Sequence, residues 1–372
     1  MSTLTPHTTY ILSGHLVAEQ PLATCSKDLA DREGGSGKPI PVPSTQTADG
    51  RALYFPATGI RGALRRHALS AIHDILREHT GVSAPFSLDQ HYLHVLGGIK
   101  GSGDTNRASV KHLEQARVVN PHLSLFGAGD AGDLGFVKGR LHMGNAFAPT
   151  GVRPAVFSGA RTDAFYRDPE MVKRLSPDDV AALVLRAQGG RGRKEIEDDI
   201  KALKLQKRAL VQAAGDKEAG ALIDAKIEAL QADLVQLKSD TGTSDVSVGM
   251  PLAGYQAIPA GVSLTNRMHL MNSDAVELGL LLAGMAQWSM SPVLGAHHST
   301  GCGMISGQWD VFTPTLTGKV FLGTVLLTPF EGLQVTGEAL LAAQTAFADF
   351  MAAKRYDFAI PTLPKTAKAD AS

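Results

Sequence analysis

The chain has 372 residues, with 36 Lys plus Arg set against 36 Asp plus Glu. Zero net charge excludes a protein that holds nucleic acid through an overall basic field, so any such binding must come from local clusters. Cys25 and Cys302 are the only cysteines, which excludes a disulfide framework and a cysteine zinc site and predicts a reducing, cytoplasmic setting.

The length suits one decorated domain. The first ten residues lack a charged n-region and an apolar h-region, so no secretory signal is expected. Residues 10–18 read as an opening strand, and residues 21–50 as a long polar loop rich in glycine and proline. The run Phe55-Pro56-Ala57-Thr58-Gly59-Ile60-Arg61-Gly62-Ala63-Leu64-Arg65-Arg66 then joins a strand end to an amphipathic helix. A helix N-terminus offers unpaired N–H groups and a positive dipole end, and Gly59 and Gly62 admit close approach. Arg61 and Arg65, four apart, share one face with Arg66 beside them, while Ile60, Leu64, Ala68, Ile72 and Ile75 lie opposite. The run reads as a phosphate-docking turn; a core helix with a solvated arginine face is the alternative.

Residues 97–107 form a glycine-rich basic excursion with Lys100 and Arg107, inside a loop-rich region at about 80–120, and Leu125-Phe126-Gly127 leads into a turn ending near Gly135. Over residues 136–143, Lys138, Arg140 and His142 alternate with Val137, Leu141 and Met143, predicting a strand with one basic face. Residues 262–271 repeat the device, with Val262, Leu264, Met268 and Leu270 inward and Ser263, Thr265, Arg267 and His269 outward. A nucleic-acid platform and a half-solvated antiparallel sheet both give this pattern.

Between residues 178 and 240 the apolar positions fall at three-four spacing, Ile196, Ile200, Leu203 and Leu210 on one segment and Ile223, Ile227, Leu230, Leu234 and Leu237 on the next. They predict an antiparallel helical hairpin with Gly215 and Gly220 bracketing its turn and Lys204, Lys207 and Arg208 in solvent. Asp274 and Glu277 predict a capped helix ending before Pro292. Residues 276–290 are the most apolar window, yet Glu277, Gly279, Gly284 and Gln287 interrupt it, so it reads as buried and not as a membrane span. Leu294-Gly295-Ala296-His297-His298-Ser299-Thr300-Gly301-Cys302-Gly303 is a small-residue loop whose amides suit a phosphate. No third metal ligand sits at spacing with His297 and His298, so no metal is expected there.

Taken in order, the residue 55–66 turn, Leu125-Phe126-Gly127, Gly139-Arg140-Leu141, Ile258-Pro259-Ala260-Gly261, Glu277-Leu278-Gly279-Leu280-Leu281 and the residue 294–303 loop resemble the RAMP superfamily of CRISPR-associated proteins. The likeness is to the Cas family-seven backbone subunits, most of all those of type IV. It implies an α+β fold: a modified RRM or ferredoxin-like core over residues 1–162 and 250–360, a thumb-associated helical insertion over 163–249, and a flexible tail over 361–372. It also implies a non-catalytic, cytoplasmic antiviral-defence subunit that stacks head to tail with copies of itself in a helical filament along a guide crRNA. Other effector subunits would be partners, and target DNA or RNA would be met through guide pairing, with no membrane and no cofactor involved. The RNA-binding residues implied are Arg61, Arg65, Arg66, Lys138, Arg140, Arg267, His297, His298 and Ser299, with Arg153 and Arg161 at the thumb. Two alternatives within the resemblance are a type III-like subunit that cleaves target RNA through Asp28 with Mg2+, and a guide-processing ribonuclease using His297 or His298 as general base. A structural protein recruiting partners through the hairpin is a third.

Overall fold

Alternation of apolar and polar side chains sets the central sheet. In β1 (Thr8–Ala18) Leu12, Leu16 and Ala18 are buried, and in β8 (Ser263–Ser273) Leu264, Asn266, Met268 and Leu270 are buried while Ser263, Thr265 and Arg267 are exposed. β1 pairs antiparallel with β8 on one side and with β9 (Ile305–Thr315) on the other, so Leu12 shares a face with Met268 and Val311. Asn266 is the polar member of the buried row, and it is satisfied: it accepts from Trp309 Nε1 at 3.1 Å and donates to the Gly144 carbonyl at 3.0 Å.

The computed structural model describes residues 7–24, 39–82, 86–98, 110–160, 176–178, 180–181, 195–208, 217–241 and 251–362. The chain divides into two units, Met1–Phe157 with Tyr255–Ser372, and Ser158–Gly254. In the first, the sheet continues beyond β9 through β10 (Gly318–Thr328) to β11 (Gly332–Thr336), and beyond β8 through β5 (Ala146–Phe147) and β3 (Gly50–Phe55) to β2 (Ser44–Thr47). β4 (Leu141–Met143) also pairs with β8. A separate two-stranded sheet is formed by β6 (Ala155–Ala160) and β7 (Pro251–Ala257).

Two helices complete the motif, α1 (Ala57–Thr80) between β1 and β4, and α6 (Ala275–Ser289) between β8 and β9. The chain order β1-α1-β4-β8-α6-β9 with spatial order β9-β1-β8-β4 and antiparallel neighbours is the split βαβ arrangement of ferredoxin-like sheets. The fold class is therefore α+β, as the sequence predicts. Both helices and α7 (Glu338–Ala352) pack on the face carrying Leu12, Leu16, Met268 and Trp309 in one hydrophobic core. The glycines that interrupt α6 lie at its helix contacts. A Cβ on Gly284 would crowd Ala68 of α1, and one on Gly279 would strike the Ala343 carbonyl of α7. No helix among the described residues is long and apolar enough to cross a membrane.

Three elements differ from expectation. The loop assigned to residues 21–50 ends in a hairpin, β2–β3, whose turn is Ala48-Asp49 with Gly50 at φ 121°. Within residues 80–120 stand α2 (Leu88–Leu96), which starts with a Ser87–Gln90 capping box, and α3 (Val110–Val119), followed at once by α4 (Pro121–Phe126). Leu93 of α2 joins Leu123, Ala128, Ala131, Leu134 and Val137, which follow this region, in a second core. The strand predicted over residues 136–143 is regular only at β4, because Val137 bridges Ala128 and the Arg140 amide turns to the Ser124 carbonyl.

In the second unit, residues 195–208 and α5 (Lys217–Thr241) are helical. Ile200, Ile223 and Ile227 pack together with Ile196, Leu203 and Leu230, and Lys207 Nζ meets Asp224 at 2.6 Å. Gly220 lies inside α5, so it does not bracket the turn; Leu210 and Gly215 fall outside the described residues.

Candidate nucleic-acid interface

The cationic start of α1 does not present itself to solvent as its spacing suggests. Pro56 precedes the helix with φ −65°, and the Ala57 amide is capped from a distance, donating to Asn145 Oδ1 at 2.8 Å. The Arg61 guanidinium turns inward and donates to the Phe126 carbonyl. Arg65 is 8% exposed, and its Nε donates to the His94 carbonyl at 2.5 Å while Nη2 donates to the carbonyls of Leu93 at 2.9 Å and Gly127 at 3.1 Å. Those carbonyls stand at the C-terminal ends of α2 and α4, where the helix dipole is negative; Leu93's also accepts from the Gly97 amide at 3.1 Å. Arg61 and Arg65 thus donate to carbonyls at two helix C-termini, Arg65 from a buried position and Arg61 from a half-buried one. Burial, then the neighbouring Arg61 charge, pulls Arg65 down to about 10. Only Arg66 of the three is exposed.

Behind Arg65 sits a buried histidine pair. His94 Nδ1 and His122 Nδ1 lie 3.0 Å apart, with His94 Nε2 3.2 Å from the Phe358 carbonyl and His122 Nε2 3.1 Å from the Arg65 carbonyl. Burial, aided by Arg65 and resisted by the Phe358 carbonyl, holds His94 at about 4, and burial holds His122 well below its ordinary value.

Arg140 is held in an ion pair. Its guanidinium is only 15% exposed and pairs with Glu277 Oε2 at 2.7 Å. Glu277 also closes the α6 capping box with Asp274, as predicted. Burial pushes the Glu277 carboxyl up, against the pull of Ser124 and Arg140. Arg117 completes this joint by donating to the Ser124 carbonyl at 3.2 Å and to the Lys138 carbonyl at 2.6 Å. The Lys138 side chain remains exposed.

The sheet face away from the helices carries what the sequence reading sought on strands. Register places Arg267 opposite Ser13, His269 opposite Ile11 and His142, and Thr265 opposite Phe147. Arg267, His142 and Phe147 are exposed. Burial, then the charges of Arg267 and His142, lowers His269 from its ordinary value. Two aromatic pairs flank this polar stripe. Tyr54 and Phe147 have ring centroids 5.7 Å apart, Phe312 and Phe321 5.6 Å apart, and Lys319 Nζ sits 3.8 Å above the Phe312 ring.

The residue 294–303 loop is pinned to the end of β1's connection: the Ala296 amide donates to the Ala23 carbonyl at 2.8 Å and the Gly303 amide to the Pro21 carbonyl at 2.9 Å. His297, His298 and Ser299 are all exposed. The His297 ring lies flat on Tyr255, centroids 3.9 Å apart and planes 8° apart, and Tyr255 is near-parallel to Phe157 at 5.3 Å and 17°. His298 turns instead toward Gly303, where a Cβ would strike its ring. The two histidines diverge, and among the described residues no group of three His, Cys, Asp or Glu is placed to hold a metal. Arg153 is exposed beside Arg51 in a cleft also lined by Pro39, Pro41, Pro154 and Gln256. Arg161 and Asp28 lie outside the described residues.

No protein-family model matches the chain, and no curated protein matches it. Among solved structures it is similar to the Methanopyrus kandleri Csm3 crystal structure, at 10% sequence identity and a TM-score of 0.33, over 83% of this chain and 78% of that one.

Sequence reading missed Tyr54, Phe147, Phe312 and Phe321, and it missed Tyr255 and Phe157 beneath His297. For Tyr54 the Asp49-Gly50 hairpin signal was available, since it places residues 50–55 in a strand. Phe312 and Phe321 face each other across the β9–β10 hairpin, whereas Phe147, Phe157 and Tyr255 meet their partners across segments distant in sequence, which no local pattern records.

Proposed function

We propose that the chain is a backbone subunit of a CRISPR ribonucleoprotein in the RAMP superfamily, most like type IV, that holds guide RNA without cutting it. The observation carrying this reading is the sheet face opposite the described helices, where Arg267, His142 and His269 stand near the Tyr54–Phe147 and Phe312–Phe321 pairs. Phe147 and Phe321 are exposed and Tyr54 and Phe312 half-buried, and rings of this kind with cations among them suit unstacked single strands of any sequence. Arg66, Lys138, Arg153, Arg161, His298 and Ser299 supply further contacts to phosphates, while Arg61, Arg65 and Arg140 shape the protein beneath them. Near-neutral charge fits a subunit that grips a few nucleotides per copy and gains its hold from head-to-tail copies along one guide. Target choice then rests on base pairing.

The test is co-expression with a CRISPR array and companion subunits, sequencing of the RNA that co-purifies, and incubation of the complex with matched RNA in magnesium. Bound guide with no regularly spaced cuts is the expected result. Cuts at a fixed interval that vanish in Asp28→Ala would make the chain a type III-like nuclease, and absence of guide would overturn the assignment.

A further inference from the structure

His297 is one of three non-glycine residues with positive φ among the described residues, at 63°. A conformation of this kind costs a side-chain-bearing residue free energy and persists only where its surroundings enforce it. Here the enforcement is visible. The His297 carbonyl accepts from the Thr300 amide at 3.0 Å, Thr300 Oγ1 at 3.0 Å and the Cys302 amide at 3.3 Å. The ring lies at 3.9 Å and 8° on Tyr255, whose hydroxyl is held 3.4 Å from Cys302 Sγ and whose ring runs near-parallel to Phe157.

This arrangement fixes a ring plane and leaves the ring edge uncommitted. Among the described residues the imidazole nitrogens of His297 make no hydrogen bond or ion pair, and the residue is exposed. Beside it Gly301, at φ 81°, has open space where a side chain would stand, and Ser299 and Thr300 are exposed, the Thr300 hydroxyl donating to the His297 carbonyl. A histidine built to grip phosphate would have its N–H aimed by a hydrogen bond on the other nitrogen; this one has its face aimed by two stacked rings.

We propose that Phe157, Tyr255 and His297 form a stacking platform that receives one unpaired base of single-stranded RNA on the His297 face turned away from Tyr255. The neighbouring glycine and hydroxyls leave room for the sugar and phosphate. The proposal rests on the guide-binding reading and deepens it: the residue 294–303 loop contacts a base through π-overlap, where the sequence suggested a phosphate grip. Stacking of this kind tolerates any base, as a guide-holding surface requires.

The experiment uses the full chain and single-stranded RNA carrying 2-aminopurine, whose fluorescence falls on stacking, with binding followed in parallel. Two variants separate face from edge. His297→Asn tolerates the left-handed backbone and keeps an N–H donor but has no aromatic face; His297→Phe keeps the face and has no donor. The platform predicts quenching in the parent chain and in His297→Phe, and in His297→Asn loss of quenching with roughly tenfold weaker binding. Binding and quenching retained by His297→Asn, or lost by His297→Phe with its circular dichroism intact, overturn the platform while leaving guide binding standing. Failure of the parent chain to bind any RNA, alone or co-purified, overturns both.

Discussion

Arg65 and Arg66 are neighbours in sequence with opposite roles. Arg65 donates to three backbone carbonyls from a buried position; Leu93's also accepts from the Gly97 amide, so truncation strands the His94 and Gly127 carbonyls, one at each of two helix ends. Arg65→Ala is expected to lower unfolding free energy by about 3 kcal/mol, measured by urea titration. Arg65→Lys should recover only part of it, because an ammonium cannot span the fork of carbonyls. Arg66→Ala should leave stability within about 0.5 kcal/mol of the parent. Its effect belongs to RNA binding, where the log-log salt dependence should become shallower by about 0.7, the share of one phosphate contact on a single strand. A spacing of four identifies a shared helix face; what stands opposite that face is settled by residues 93–94 and 126–127, far away in sequence.

At the scale of elements, α2, α4 and the segment around Phe358 are held together partly by the buried His94–His122 pair. Both imidazoles are neutral when folded, whereas an unfolded chain returns them to an ordinary value of about 6.5. The unfolded state therefore binds more protons as pH falls, so this contribution is complete above about pH 6.5 and is lost as pH drops toward 4. His94 alone should cost about 2 kcal/mol by pH 5, read as a drop in urea midpoint between pH 7.5 and pH 5. His94→Gln should flatten that pH dependence. The α6 cap was readable from Asp274 and Glu277 because a capping box is local, and the Asp49-Gly50 pair at the Ala48-Asp49 turn marks the β2–β3 hairpin. The irregular path over residues 136–140 carried no such signal, since its backbone partners are Ala128 and Ser124.

At the scale of the whole molecule, among the described residues the main core and the cluster around Leu123 are drawn from outside 158–254, and the cluster around Ile223 from within it. Replacing residues 163–249 by a short Gly/Ser linker should leave the first unit with a single cooperative unfolding transition. Trp288 and Trp309, the only tryptophans and both fully buried there, report it directly: their fluorescence maximum and the urea midpoint should match those of the parent. A red-shifted maximum in the linker variant would show that the first unit depends on the second. If the shortened chain also keeps RNA binding, the gripping surface belongs to the sheet and its loops.

Residue order alone determined the opening strand, the alternation of β8, the buried α6 and the two-helix segment near residues 195–241, because hydrophobic period and caps are local consequences of backbone geometry, while the α+β class followed from the resemblance of its ordered motifs. It also brought out the charged runs from which the interface was drawn. Only the tertiary structure decided which charges are spent inside. Arg61, Arg65 and Arg140 found carbonyls and a carboxylate supplied by other elements, and burial makes leaving such acceptors unpaired costly. The same applies to the rings: Tyr54 with Phe147, Phe312 with Phe321, and His297 on Tyr255 meet through strand register and loop anchoring. Register is a property of pairs of strands, and a single chain read in order does not contain it.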